Sequence, residues 1–149
     1  MSLLGQEDMK TLLDKYNKES VPYISVEELK KDKQDYLILD TRAIEEYDVS
    51  HIPGAIWVSE KVDEEIYAFA KANKNQPIVV YCTVGVRSED FGERLKKMGF
   101  TNVQNLYGSI FYWKDNGFAL ENSKGQATDS VHTYDKHWAK YLKTGVKIN

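Results

Sequence analysis

Ile78-Val79-Val80-Tyr81-Cys82-Thr83-Val84-Gly85-Val86-Arg87-Ser88-Glu89-Asp90 is the stretch that decides the fold. An apolar run leads without a break into the chain's only cysteine. A short loop with Gly85 and Arg87 follows, and Ser88-Glu89-Asp90 suits a helix start, with Ser88 as N-cap. This is a buried strand that delivers a thiol to the N-terminus of a helix. Backbone N–H groups and the helix dipole favour negative charge there. A cysteine so placed tends towards the nucleophilic thiolate. Gly85 lets the backbone curl and Arg87 adds a fixed positive charge. The competing reading of a lone thiol at a strand end is an inert core residue.

Outward from this stretch, strands and helices alternate. Towards the N-terminus, Met9, Leu12, Leu13 and Tyr16 mark one helical face within residues 1–20. Val21 to Ile24 is extended. Ser25 and Glu28 have capping-box spacing for a helix through Val26, Leu29 and Lys30. Tyr36-Leu37-Ile38-Leu39 is a continuous apolar run, the mark of a strand buried on both faces, and Asp40-Thr41-Arg42 closes it. Ala43 to Tyr47 fits one or two helical turns. His51-Ile52-Pro53-Gly54 is a turn, and Ala55 to Val58 a short strand. Val62, Ile66, Phe69 and Ala70 predict a helix over Lys61–Asn73.

On the other side, Phe91, Leu95 and Met98 share a helical face that Gly99 ends. Asn102 to Leu106 is a fifth strand. Gly108 to Lys114 is a small helix that Gly117 ends. Residues 121–130 look like a polar connector. Val131, Tyr134, Trp138 and Leu142 then recur at helical spacing, in a tail expected to pack on the body rather than leave those aromatics wet. The expected architecture is α/β with a mostly parallel central sheet. Parallel strands bring their C-terminal ends to one edge, so Asp40-Thr41-Arg42, Cys82, and Asn105 with Gly108 can share a pocket.

The 149 residues suit one domain with a real core, and a single cysteine allows no internal disulfide. The formal net charge of −3 gives no electrostatic case for a nucleic-acid partner. No apolar run approaches the roughly 20 residues that span a bilayer, and Met1 to Lys10 lacks the zones of a signal peptide. The expectation is a cytoplasmic protein with no membrane partner. His132 and His137 are a poor fit to one helical face and have no second cysteine beside them, so no metal site is expected.

Two cysteine chemistries that handle anions compete for the loop. Tyrosine phosphatases place a histidine before the cysteine and five residues between cysteine and arginine. Here Tyr81 precedes Cys82, and four residues separate it from Arg87. The shorter loop is a tighter cradle, suited to a transferred sulfur or a small oxyanion. In company with Leu39-Asp40-Thr41-Arg42, Glu46-Tyr47, His51-Ile52-Pro53-Gly54-Ala55, Val79 to Cys82, Arg87-Ser88, Gly99-Phe100, Val103, Leu106, Gly108, Trp113 and Gly117, the chain resembles the single-domain rhodanese-like sulfurtransferases. The resemblance spans roughly Val21 to Leu120. It implies a rhodanese-like domain over 21–120, with an N-terminal helical extension over 1–20 and a C-terminal extension over 121–149 packed on it.

It further implies a five-stranded, mostly parallel sheet flanked by helices, and an active loop from Cys82 to Arg87. In the family, the loop cysteine takes sulfane sulfur from a donor such as thiosulfate or an organic persulfide. It then passes the sulfur to an external thiol or cyanide, with no cofactor. Cys82 is the expected nucleophile. The N–H groups of Thr83, Val84, Gly85, Val86, Arg87 and Ser88 are expected to bind the substrate sulfur or oxyanion. Arg87 either adds charge to the cradle or pairs with an acidic side chain. Ser88 either donates to the sulfur or caps the helix. Asp40 and Arg42 match an Asp-x-Arg at the end of the second strand. Arg42 is expected either to bind an anion or to tie down Glu46 or a nearby loop, and His51 to be structural. Thr83 stands where the family often has a basic residue, and Val84 and Val86 make apolar walls that suit a bulkier persulfide. The alternatives are a non-catalytic module that captures a protein partner, and a phosphatase or arsenate reductase.

Overall fold

The computed structural model describes residues 2–58 and 73–149. The helix predicted over residues 61–73 lies, but for Asn73, outside the described residues. The elements are α1 (Ser2–Tyr16), β1 (Tyr23–Ile24), α2 (Val26–Lys31), a 3-10 turn (Lys33–Asp35), β2 (Leu37–Asp40), α3 (Ile44–Val49) and β3 (Ile56–Trp57). After the gap come β4 (Ile78–Tyr81), α4 (Val86–Lys97), β5 (Val103–Leu106) and α5 (Ser109–Asp115).

The five strands form one sheet in the order β1-β5-β4-β2-β3, and every pairing is parallel. The central strand is β4, buried at all four positions, which is why its sequence is apolar without alternation. Its side chains alternate between two cores. Val79 and Tyr81 join Ile38 and Leu106 on one face, covered by Met9, Leu12 and Leu13 of α1 and by Ile110, Phe111 and Trp113 of α5. Ile78 and Val80 join Leu39 and Val103 on the other, against Phe91 and Leu95 of α4 and Phe100. Asp40 is level with Tyr81 in the β2–β4 register, so the end of β2 and the start of the cysteine loop lie side by side.

Local signals act as their chemistry dictates. The Ser25 side chain accepts the Glu28 N–H at 3.1 Å and donates to the Glu28 carboxylate, also at 3.1 Å, starting α2. Gly99, with φ of +102°, follows the last turn of α4 in a conformation that favours glycine.

Three expectations are corrected. First, α4 begins at Val86, with Gly85 at the N-cap position, so Ser88 sits inside the first turn and does not cap it. The curl at Gly85 (φ +122°) turns the chain into the helix sooner than the polar Ser-Glu-Asp run suggests. Second, the polar connector is a hairpin of β6 (Leu120–Glu121) and β7 (Ala127–Thr128), whose turn is held by Asn122 Oδ1 accepting from the N–H groups of Lys124 and Gln126. Third, the tail is not one helix. It runs β8 (Ser130–His132), a four-residue α6 (Lys136–Ala139) and β9 (Val146–Ile148), with β8 and β9 paired in parallel. Val131 and Leu142, read as one helical face, are buried in the core that α1 and α5 cover, one from a strand and one from the turn after α6.

Candidate functional site

Cys82 follows directly on β4 and is 1% exposed. Its sulfur accepts the Gly85 N–H at 3.2 Å, and the Ser88 hydroxyl lies 3.4 Å from it. The rest of the loop is anchored from α5. Ser109 Oγ accepts the Cys82 N–H at 3.2 Å, and the N–H groups of Ile110 and Phe111 donate to the carbonyls of Cys82 and Thr83, each at 3.3 Å. The first turn of one helix therefore holds the loop by its carbonyls, while α4 starts four residues beyond Cys82. An anion on or beside the sulfur would meet the N-terminal end of α4.

Arg87 takes the acid-paired arrangement. Its Nη1 and Nη2 donate to the two carboxylate oxygens of Glu46 at 3.0 and 2.8 Å, a two-pronged pair. Nη2 also donates to Thr83 Oγ1 at 2.7 Å, and Thr83 Oγ1 donates to Glu46 Oε1 at 3.3 Å. The Tyr134 ring, from the tail, lies 4.4 Å from the guanidinium. Burial would push the Glu46 carboxyl up. The hydrogen bonds and charge of Arg87, with the Ala43 N–H and the charge of Arg42, hold it below the usual carboxylate range instead. Burial would likewise push Arg87 down, and Glu46 and Cys82 raise it.

Asp40 and Arg42 are both fully buried. Arg42 Nε and Nη2 donate to the two Asp40 oxygens at 2.9 and 2.7 Å, and Nη2 also reaches the Ser50 carbonyl at 2.7 Å. Only its Nη1 is buried without a partner. Tyr81 Oη donates to Asp40 Oδ2 at 2.7 Å and accepts the Ile52 N–H at 3.1 Å. Arg42 thus links the Ser50 carbonyl to Asp40. His51 stacks on Tyr47 at 3.8 Å between ring centres, and its backbone pairs with that of Glu121.

Of the residues expected to bind substrate, Gly85 and Ser88 meet the sulfur directly. The Thr83 and Arg87 side chains are engaged with Glu46, Val84 is buried, and Asp40 and Arg42 form a fully buried pair. Two residues have roles at the loop that the sequence did not assign. Glu46, a motif member and a candidate partner of Arg42, pairs with Arg87 instead. Tyr134 comes from the tail, where no spacing connects it with the loop. Asn105, noted there only as a strand-end residue, is buried. It donates to the Gly85 carbonyl at 2.9 Å and accepts from Ser88 Oγ at 2.6 Å.

A family model described as Rhodanese-like domain matches residues 25–116. Among curated proteins, the chain is 41% identical over 87 residues to the tRNA uridine(34) hydroxylase of Shouchella clausii, covering 55% of this chain and 27% of that protein. It is 33% identical over 111 residues to the protein of that name from Listeria welshimeri, covering 71% and 34%. The chain therefore spans about a quarter to a third of these relatives. Among solved structures, the rhodanese-like domain of an Anabaena protein superposes with a TM-score of 0.58 at 26% identity, covering 68% of this chain and 79% of that one. Thiosulfate sulfurtransferase from Pseudomonas aeruginosa shares the fold, with a TM-score of 0.60 at 23% identity over 82% of this chain and 23% of that one.

Proposed function

The chain belongs to the rhodanese-like domain family, and on that premise we propose that it carries sulfane sulfur on Cys82. The observation that supports this best is the sulfur itself. It is buried at the start of α4, with one backbone N–H and one hydroxyl within hydrogen-bonding range. The Cys82 thiolate attacks the outer sulfur of a donor. The donor's S–S bond breaks as the Cys82 S–S bond forms, and the donor leaves as sulfite or a thiolate. An external thiolate or cyanide then attacks the outer sulfur, the Cys82 S–S bond breaks, and the thiolate returns. No net redox change or cofactor is involved. The acceptor is external because the chain holds no second cysteine. Glu46 neutralises Arg87, and Thr83 offers no charge, so the cradle is less cationic than its sequence suggests. We infer a preference for an organic persulfide over thiosulfate.

We infer that residues 21–120 carry the reaction, with 1–20 and 121–149 as extensions packed on them, and that the protein acts in the cytoplasm. Among the described residues, no helix is long and apolar enough to cross a membrane.

The test is intact mass after incubation with thiosulfate or glutathione persulfide. One added sulfur is expected, larger in yield with the persulfide, cleared by cyanide and absent in Cys82→Ser. No adduct from either donor overturns the proposal.

A second reading rests on the relatives' name, which specifies tRNA. A longer protein containing this segment would then act on a tRNA uridine. The net charge of −3 argues that these residues do not grip RNA by themselves. A mobility-shift titration with total tRNA at low salt separates the two: no shift is expected from this chain, and a salt-sensitive shift would favour the second reading.

A further inference from the structure

We propose that Asn105 is a positioning residue for Cys82, acting through Ser88 by competing with the sulfur for the single Ser88 hydroxyl proton; its functional meaning rests on Cys82 being the sulfur carrier. The Asn105 side chain is wholly buried at the end of β5, next to β4 in the sheet. Its amide has one defined orientation. The Gly85 carbonyl can only accept, so the Asn105 group 2.9 Å from it is the NH₂, and Oδ1 faces Ser88. The Ser88 Oγ to Asn105 Oδ1 distance is 2.6 Å, against 3.4 Å from Ser88 Oγ to the sulfur. An amide oxygen cannot donate, so at this spacing the hydroxyl proton lies on the Asn105 side. Ser88 then presents a lone pair to the sulfur.

That arrangement suits a protonated thiol, whose S–H donates to Ser88 Oγ while Gly85 N–H donates to the sulfur. It does not suit an anion. When the thiol gives its proton to solvent, the Ser88 hydroxyl must turn to the sulfur. Asn105 Oδ1 is then left buried without its donor, which disfavours the anion. Asn105 therefore holds the resting thiol and is released as the anion forms. Other charged and titratable groups packed about the loop are Arg87 and Glu89 of α4, Glu46 of α3, Asp40 of β2 with Arg42 beyond it, Tyr81 of β4 and Tyr134 of the tail. All are retained in every variant below, so differences between variants report the Ser88–Asn105 contact.

The chain has one cysteine, so its thiolate can be followed by ultraviolet absorbance against pH, with Cys82→Ser subtracted. The expected result for Asn105→Ala is a midpoint lowered by roughly half to one pH unit, the size of one hydrogen bond. In a Ser88→Ala background the same substitution should produce no shift. In a Ser88→Thr background, which keeps the hydroxyl, the shift should return. A purely structural role would loosen the Gly85 turn and move the midpoint whether or not Ser88 is present. An Asn105→Ala midpoint that is unchanged or raised, or a shift that persists without the hydroxyl, overturns the proposal. Should Asn105→Ala not fold, Asn105→Leu fills the volume and is expected to shift the midpoint in the same direction. The absorbance is read without any sulfur donor, so failure here is distinct from failure to form a Cys82 persulfide.

Discussion

Glu46 carries two duties at the residue scale: it fixes Arg87 and it keeps a negative charge buried beside the thiol loop. Its folded-state carboxyl lies below its unfolded value, about 4.3. The unfolded chain therefore binds the proton first, and the stabilisation is fully present above that value and fades as pH falls through the folded one. Urea midpoints of the protein and of Glu46→Gln should differ most near neutral pH and converge as the pH falls below the usual carboxylate range. A gap independent of pH would show that charge is not the cause. Gly85→Ala is expected to cost about 1–2 kcal/mol, because its φ of +122° penalises a Cβ. It should also slow sulfur loading of Cys82 in a timed mass assay, since it displaces the N–H that meets the sulfur. The thiol, the glycine and the arginine were all legible in one short stretch. Which carboxylate claims the arginine was not. That depends on α3 arriving against α4 across the loop, and no spacing along the chain reports it.

At the scale of elements, α4 is positioned as much by what it lacks as by what it buries. Gly92 lies where the helix crosses Val21, and an added Cβ would come within 2.9 and 3.2 Å of the two Val21 methyl groups. Alanine gains up to about 1 kcal/mol of helix propensity there. The clash outweighs it, because Val21 is fully buried and β-branched and cannot turn aside. Gly92→Ala should lower stability by about 1–2 kcal/mol in urea unfolding, and Val21→Ala in the same chain should recover part of the loss. Elements with strong periodicity or an apolar run, β2, β4 and the α4 face, could be read from sequence. The β6–β7 hairpin could not, because its two-residue strands, Leu-Glu and Ala-Thr, carry neither alternation nor an apolar run. The tail misled for a related reason: Val131 and Leu142 keep a helical spacing by coincidence, and Asp135, which caps only four residues of α6, is the better guide.

Across the whole molecule, the C-terminal segment is part of the body. Val131 and Leu142 are 0% and 1% exposed, and Tyr134 reaches Arg87. Removing residues 121–149 forfeits the burial of those two side chains, about 3–6 kcal/mol. Against a typical total of about 5–15 kcal/mol, the shortened chain should show a much lower urea midpoint or no cooperative transition. An unchanged midpoint would mean that the tail is a separate appendage. The tail packs through Val131 and Leu142, while Tyr134 stays about half exposed; that it reaches the thiol loop could not be read from sequence, since contact between distant segments leaves no local trace. The sheet order has one more consequence, which concerns how the protein is made. β1 is among the earliest strands synthesised, yet its partner is β5, with Tyr23 opposite Asn105 and Ile24 opposite Leu106. On the ribosome, β2 and β4 can pair while β1 waits, its edge unclaimed until Leu106 has emerged. The strand next to Asn105 is thus the last of the five to be paired during translation, once more than two thirds of the chain is out.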